Sequence, residues 1–485
     1  MSWISANLAP LMFVGMILFM LIGYPAAFSL AATGLFFGFI GIEFGLIRAD
    51  FLGNLTYQLF GIISNDLLLA IPFFTFMGAI LERCGLAEDL LDSIGQLFGP
   101  VRGGMSYAVI FVGAILGAIT GTVAASVIAM GVISMTPMLK YGYSTRHTMG
   151  VIAASGTITQ LIPPSLVLVV LADQLGRSVG DMYAGAIGPS LIQVALFCIW
   201  VAILSIIRPQ DVPALPLEAR TLHGWPLLKK CLRGIIPSLG LIFLVLGTIF
   251  MGLATPTEAG AMGVVGAIAL AAFYGTLSWP LLYQGMSSTM RITAMVVYIL
   301  IGARVFSLVF QGVGGKEWIE HLLTTLPGGQ LGFLVFVNLF IFVIAFFLDF
   351  FEIAFIILPM IAPAAQKMLT PVVGPDAALI WFGVMLCVNM QTSFMHPPFG
   401  FALFYLRGVA PREVKSSDIY WGALPWVGLQ LVMVALVIAF PITVTGLLEG
   451  PSKIDPTKLR IEIPAPATPG SGEIPLINIG APEDK

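Results

Sequence analysis

Two long apolar stretches, one in each half of the chain, are cut in mid-span by a double proline: Pro163-Pro164 in SGTITQLIPPS and Pro397-Pro398 in NMQTSFMHPPF. No regular helix runs through such a pair, because proline has no N–H to donate and its ring collides with the preceding turn. After each break comes a matching segment, DMYAGAIGPSLIQ from Asp181 and DIYWGALPWVGLQ from Asp418, which align without gaps. Their Asp, Tyr, Gly, Ala and final Gln are identical. Interrupted helices at corresponding positions of two halves point to a repeated membrane architecture with a binding site at the breaks.

The surroundings of the breaks fix the class. Hydrophobic residues make up 58% of the 485 and charged residues 10%, against about 25% charged in soluble domains. Apolar runs long enough to span a bilayer recur along almost the whole length, which predicts an all-α polytopic membrane protein. The first run reads as a membrane helix rather than a removable signal peptide, since no cleavage-site pattern follows it. Cys84, Cys198, Cys231 and Cys387 include no close pair, so neither a disulfide framework nor a metal site is suggested. No basic run exceeds Lys229-Lys230, which leaves no electrostatic footprint for nucleic acid. An intramembrane enzyme is disfavoured by the lack of HExxH or GxSxG in the apolar segments. Nothing resembles the repeated filter ring of a passive channel.

Spans are predicted at about 9–23, 25–42, 57–82, 147–172, 185–207, 235–253, 257–278, 291–310, 377–406 and 420–447. Two further apolar stretches, about 104–139 and 330–366, read as re-entrant hairpins. Gly23-Tyr24-Pro25 separates the first two spans, since glycine permits a reversal and the residue before proline leaves the helical region. With the N-terminus outside, inner loops collect most Lys and Arg, including Arg83, Arg102, Lys140, Arg146, Arg208 and Lys229, while outer short loops keep Arg48, Arg177, Lys316 and Lys367. Ten crossings then put both termini outside. Five crossings and one hairpin per half invert the second half relative to the first. The repeats are 1–207 and 235–448, joined by an inner linker at 208–234, and 449–485 is a polar, proline-rich tail.

Backbone before each double proline must leave carbonyls without helical partners, which the membrane interior tolerates only where they are buried in protein or line a cavity. Such carbonyls, joined by hydroxyl and amide oxygens, suit a hard cation such as sodium. The first break carries Ser155, Gly156, Thr157 and Thr159 before the prolines and Ser165 after them. Counted back from the prolines, Ser155 matches Asn389 and Thr157 matches Gln391, with Thr392 and Ser393 close by. The tip of the first hairpin, AITGTVAASV, offers Thr120, Gly121, Thr122 and Ser126 among small residues that let backbones approach. The second tip, FFLDFFEIAF, places Asp349 and Glu352 three apart in apolar surroundings, where cation coordination, proton coupling and helix capping all fit. Glu258 stands three after Thr255, a capping-box spacing. His396 has no counterpart, Ile162 holding the matching place, and reads as a packing residue.

The runs GAITGTVAASVIAMG, IPPS, FFLDFFEIAFIILPMIAP and MQTSFMHPPFGFALFYLRGVAP resemble the large membrane subunit of tripartite ATP-independent periplasmic (TRAP) transporters, in that order and over almost the full chain. The resemblance implies a sodium-coupled importer of small organic acids in the bacterial inner membrane. Its moving domain, the two hairpins and two broken helices, would slide as an elevator against a scaffold of the other spans. It also implies two partners, a separate small membrane subunit of four helices and a periplasmic substrate-binding protein. One cation site would join Thr120–Ser126 to Ser155–Thr157, and the other Asp349–Glu352 to Asn389–Ser393. In the family the second tip is small and neutral after the Asp, whereas here Phe350, Phe351 and Glu352 follow. A stand-alone dicarboxylate or inorganic-anion carrier of the wider ion-transporter group is the rival reading, separated by whether uptake needs a binding protein.

Overall fold

The computed structural model describes residues 3–397 and 400–448. The expectations for Pro398 and for the tail at 449–485 lie outside these residues. Every regular element among the described residues is helical. Among the described residues nine helices are long and apolar enough to cross a membrane, or up to eleven segments if each of two bent pairs counts as one span, and two of the nine, Val123–Lys140 and Phe350–Val373, fall in the stretches expected as hairpins.

Most boundaries move outward, because the periodic apolar core of a helix ends before its capped ends do. The helix expected at 185–207 runs over Val179–Ile207, and the one at 291–310 runs over Trp279–Gly312. Three expectations need correction. The single span at 57–82 is two helices, Asn54–Ile63 and Ala70–Leu81, bent by 49°. The Asn65 side chain causes this by accepting from Leu67 N–H at 3.0 Å and starting a new helix. The first span is a helix of only 14 residues, Leu8–Leu21, about 21 Å long. The linker is helical from Gly224 onward, since Gly224–Ile242 lays Leu227, Cys231 and Gly234 against the Leu86–Leu97 helix, with Lys230 paired to Asp92. Two smaller expectations agree with the structure. Gly23 takes φ +90° at the first turn, and Thr255 and Glu258 form a reciprocal capping box.

Each hairpin is two helices turning sharply. The first joins Gly104–Thr120 to Val123–Lys140 through Gly121, whose φ of +64° a side chain would resist. The second joins Gly329–Ile344 to the arm Phe350–Val373, which carries a π-helical turn at Ile353–Ile357 just before Pro359 withholds its N–H. Both broken helices lie at the centre. Thr145–Thr157 tightens into a 3-10 turn at Ile158–Gln160 and resumes as Leu166–Leu175. Pro375–Met390 tightens likewise at Gln391–Phe394 and resumes as Phe401–Val409. The second is 94% buried over Pro375–Phe394, whereas Val179–Ile207 is 22% buried and forms the periphery.

The repeat appears in the packing as an exchange. The helix after each break lies on the broken helix of the other half. Gly422 meets Arg146 and Gly150, where an added Cβ would sit 2.2 Å from the Arg146 carbonyl oxygen. Gly185, its counterpart in the aligned segments, meets Ile380 and Val384. Counted back from the prolines, Arg146 matches Ile380 and Gly150 matches Val384. The same contact is therefore made twice, once in each direction.

Candidate functional site

The first tip closes on the first break through hydroxyls. The Thr120 and Ser126 hydroxyls stand 2.8 Å apart, and the Thr159 hydroxyl lies 3.0 Å from Ser126 Oγ and donates to the Gly156 carbonyl at 2.8 Å. Ser155 donates to the Ile152 carbonyl at 3.0 Å and packs on Gly113 of the hairpin, where a Cβ would come within 2.7 Å of it. Thr157 donates to the Ala154 carbonyl at 3.0 Å. Ser165 caps the second half-helix by accepting from Val167 N–H at 3.2 Å. Thr120, Ser126, Gly156 and Thr159 are thus joined at one buried locus, with Ser155 buried against Gly113 and the Thr157 hydroxyl facing Met395 and Gln430 of the other half. Pro163 and Pro164 form the turn that follows it.

The second tip is built differently. Asp349 accepts from Glu352 N–H at 2.9 Å, and Glu352 accepts from Asp349 N–H at 3.0 Å, a capping box that starts the second arm. Asn389 is held by the first arm, donating to the Asn338 carbonyl at 2.8 Å and to Asn338 Oδ1 at 3.0 Å, while its own Oδ1 has no partner. Thr392 and Ser393 donate to the Asn389 and Met390 carbonyls at 2.7 Å. Ser393 and Asp349 line one cavity of about 390 Å³. Pro397 is half-buried at the break. His396 packs against Phe342 and Phe346, with ring centroids 4.5 and 4.0 Å away.

Sequence reasoning gave no role to three polar residues. Gln430, the final Gln of the second matching segment and the counterpart of Gln193, donates to Thr157 Oγ1 at 3.3 Å and to Gln391 Oε1 at 3.5 Å, which joins the two breaks. Asn338 stands alone as an amide in an apolar run, a signal that was there to be read. Gln160 is 1% exposed, and neither amide atom has a partner.

Both tips and both broken helices contribute residues to a cavity of about 190 Å³. Gly121 to Ala124 come from the first tip and Asp349 to Phe351 from the second. The broken helices supply Gln160, Leu166 and Val167 on one side and Phe394, Phe401 and Tyr405 on the other, and Ile292 and Met295 of the Trp279–Gly312 helix complete the wall. A concave site between facing hairpin tips, with broken backbone behind it, belongs to a multi-pass membrane protein that moves a small molecule.

A model of the DctM component of tripartite ATP-independent periplasmic transporters matches residues 13–443, and the chain belongs to that family. It is 30% identical over 470 residues to the C4-dicarboxylate TRAP transporter large permease protein of Vibrio cholerae, covering 92% of this chain and 99% of that one. The ectoine TRAP transporter large permease of Halomonas elongata is 27% identical, covering 89% of this chain and 96% of that one. The sialic acid large permease of Vibrio cholerae is 27% identical, with 86% and 93% covered. These relatives are permease proteins rather than enzymes. The fold is shared with the YdaH transporter of Alcanivorax borkumensis, at TM-score 0.57 and 16% identity, over 82% of this chain and 90% of that one.

Proposed function

We propose that this large permease subunit imports a small organic acid across the bacterial inner membrane, driven by sodium and supplied by a periplasmic binding protein. The observation that carries the reading is the meeting of both tips and both breaks at one cavity. Two oxygen-rich groups would take the cations: Thr120, Ser126 and Ser155–Thr159 the first, and Asn389–Ser393 with Asp349 the second, where Ser393 and Asp349 line one cavity. Sodium, a hard cation, seeks such carbonyl, hydroxyl and amide oxygens. Its binding would tie each tip to its break and close the cavity round the substrate. The carboxylate would meet the N-terminal ends of half-helices, which carry unpaired N–H groups and partial positive charge.

The two hairpins and broken helices would move together as an elevator against the remaining helices, with 1–207 and 235–448 as inverted repeats and both termini periplasmic. A small four-helix membrane subunit would brace the scaffold, as the family implies. The test is uptake of an organic acid into proteoliposomes holding the permease and small subunit. Accumulation should require an inward sodium gradient and added binding protein. Equal uptake without binding protein would favour the stand-alone carrier, and flux indifferent to sodium would overturn the coupling.

A further inference from the structure

The two ends of the cavity differ in chemistry, and the difference selects a substrate. At the first tip the Val123–Lys140 helix begins without a side-chain cap, so the N–H groups of its first turn have no side-chain acceptor, and Val123 and Ala124 line the cavity. Beside them in the wall is Gln160, 1% exposed with both amide atoms unpartnered. Buried amides are normally satisfied, so an orphan in a cavity wall points to a group that arrives with the ligand. At the second tip the arrangement is reversed. The helix end is closed by its own Asp349–Glu352 box. Its neighbours form a continuous aromatic surface, with Phe350 and Phe351 3.8 Å apart, Phe394 6.2 Å from Phe350, and Phe401 6.3 Å from Phe394. Among the described lining residues there is no lysine or arginine to meet a second anionic group.

Resting on the proposed transport site, we infer that the substrate is a monocarboxylate with an apolar or aromatic body. Its carboxylate lies at the uncapped first tip, where Gln160 supplies an amide donor, and its body lies on Phe350, Phe351 and Phe394. A dicarboxylate in the same pose would set its second carboxylate among the aromatic rings beside the Asp349 carboxyl, with the Tyr405 hydroxyl as the one side-chain donor among the described lining residues at that end.

The test is equilibrium binding to the purified permease and small-subunit complex in saturating sodium, without binding protein, using benzoate and 4-methyl-2-oxopentanoate against succinate and N-acetylneuraminate. The two apolar monocarboxylates should bind at least about tenfold more tightly than the other two. Gln160→Met, which keeps the volume, should weaken them by about tenfold, and Phe351→Ala should shrink their advantage over succinate. Thermal unfolding of each variant in sodium alone checks that it is folded, and the four-ligand series on the unaltered protein needs no variant. Succinate binding as tightly as benzoate, no binding by either apolar acid, or a folded Gln160→Met protein with unchanged affinity would overturn the inference. Sodium-driven, binding-protein-dependent uptake of succinate would sink this inference and leave the transport reading standing. Benzoate binding without sodium-driven uptake of any acid would do the reverse.

Discussion

Gln430 reaches Thr157, 273 residues away in the first break, and Gln391, 39 residues away in the second. Its identity with Gln193 was plain in the matching segments, yet nothing in the sequence said what it touches. Contact partners across such a separation are set by the packed fold, and local pattern carries no trace of them. The hydroxyls at Thr120, Ser126 and Thr159 were easier, because small polar residues in an apolar hairpin and before a double proline have few other uses. Asp349 and Glu352 were legible as a pair, and the structure shows the capping geometry among the roles their spacing allowed. Gln430→Leu keeps the bulk and removes the link between the breaks. Its expected effect is a slower maximal uptake rate by about tenfold, with a stability loss of about 1–3 kcal/mol from the orphaned partners. Uptake kinetics together with thermal unfolding of the purified variant would check both.

Among the helices, the exchange contact explains why Gly recurs in the two matching segments. Each segment begins the helix that lies across the opposite break, and its glycine marks the closest approach. The approach is tighter at Gly422, where the obstacle is the Arg146 backbone, than at Gly185, where the nearest atoms are side-chain methyls of Val444 and Ile380 at 3.0 and 3.2 Å. Backbone cannot step aside as a methyl can. Gly422→Ala should therefore destabilise by about 1–3 kcal/mol or more, and Gly185→Ala by clearly less. Comparison of their thermal unfolding midpoints tests the ranking. The breaks and tips were readable because proline, glycine and misplaced polar groups are strong punctuation. The bend at Asn65 and the helical end of the linker were not, because one is a side-chain cap inside an apolar run and the other an amphipathic helix in a polar stretch.

At the level of the whole molecule, loop charge and the count of spans predicted two repeats of opposite orientation, and the structure pairs equivalent positions reciprocally. The segments between spans hold the halves together as well as joining them. Lys230 of the linker helix pairs with Asp92 of the first half, and Arg146 at the start of the first broken helix pairs with Asp418 at 3.1 Å. Such partly exposed pairs contribute little stability, about 0–1 kcal/mol each, so the buried contact between breaks and crossing helices carries the assembly. The sequence made the class and the breaks visible, while the asymmetry of the two cavity ends emerged only when the tips were brought face to face. The central claim is that sodium acts at the two breaks, and the sodium dependence of uptake by Ser155→Ala and Asn389→Ala in proteoliposomes with binding protein tests it most directly. Each substitution should raise the sodium concentration for half-maximal uptake by about tenfold. Unchanged sodium activation in both folded variants would contradict the account.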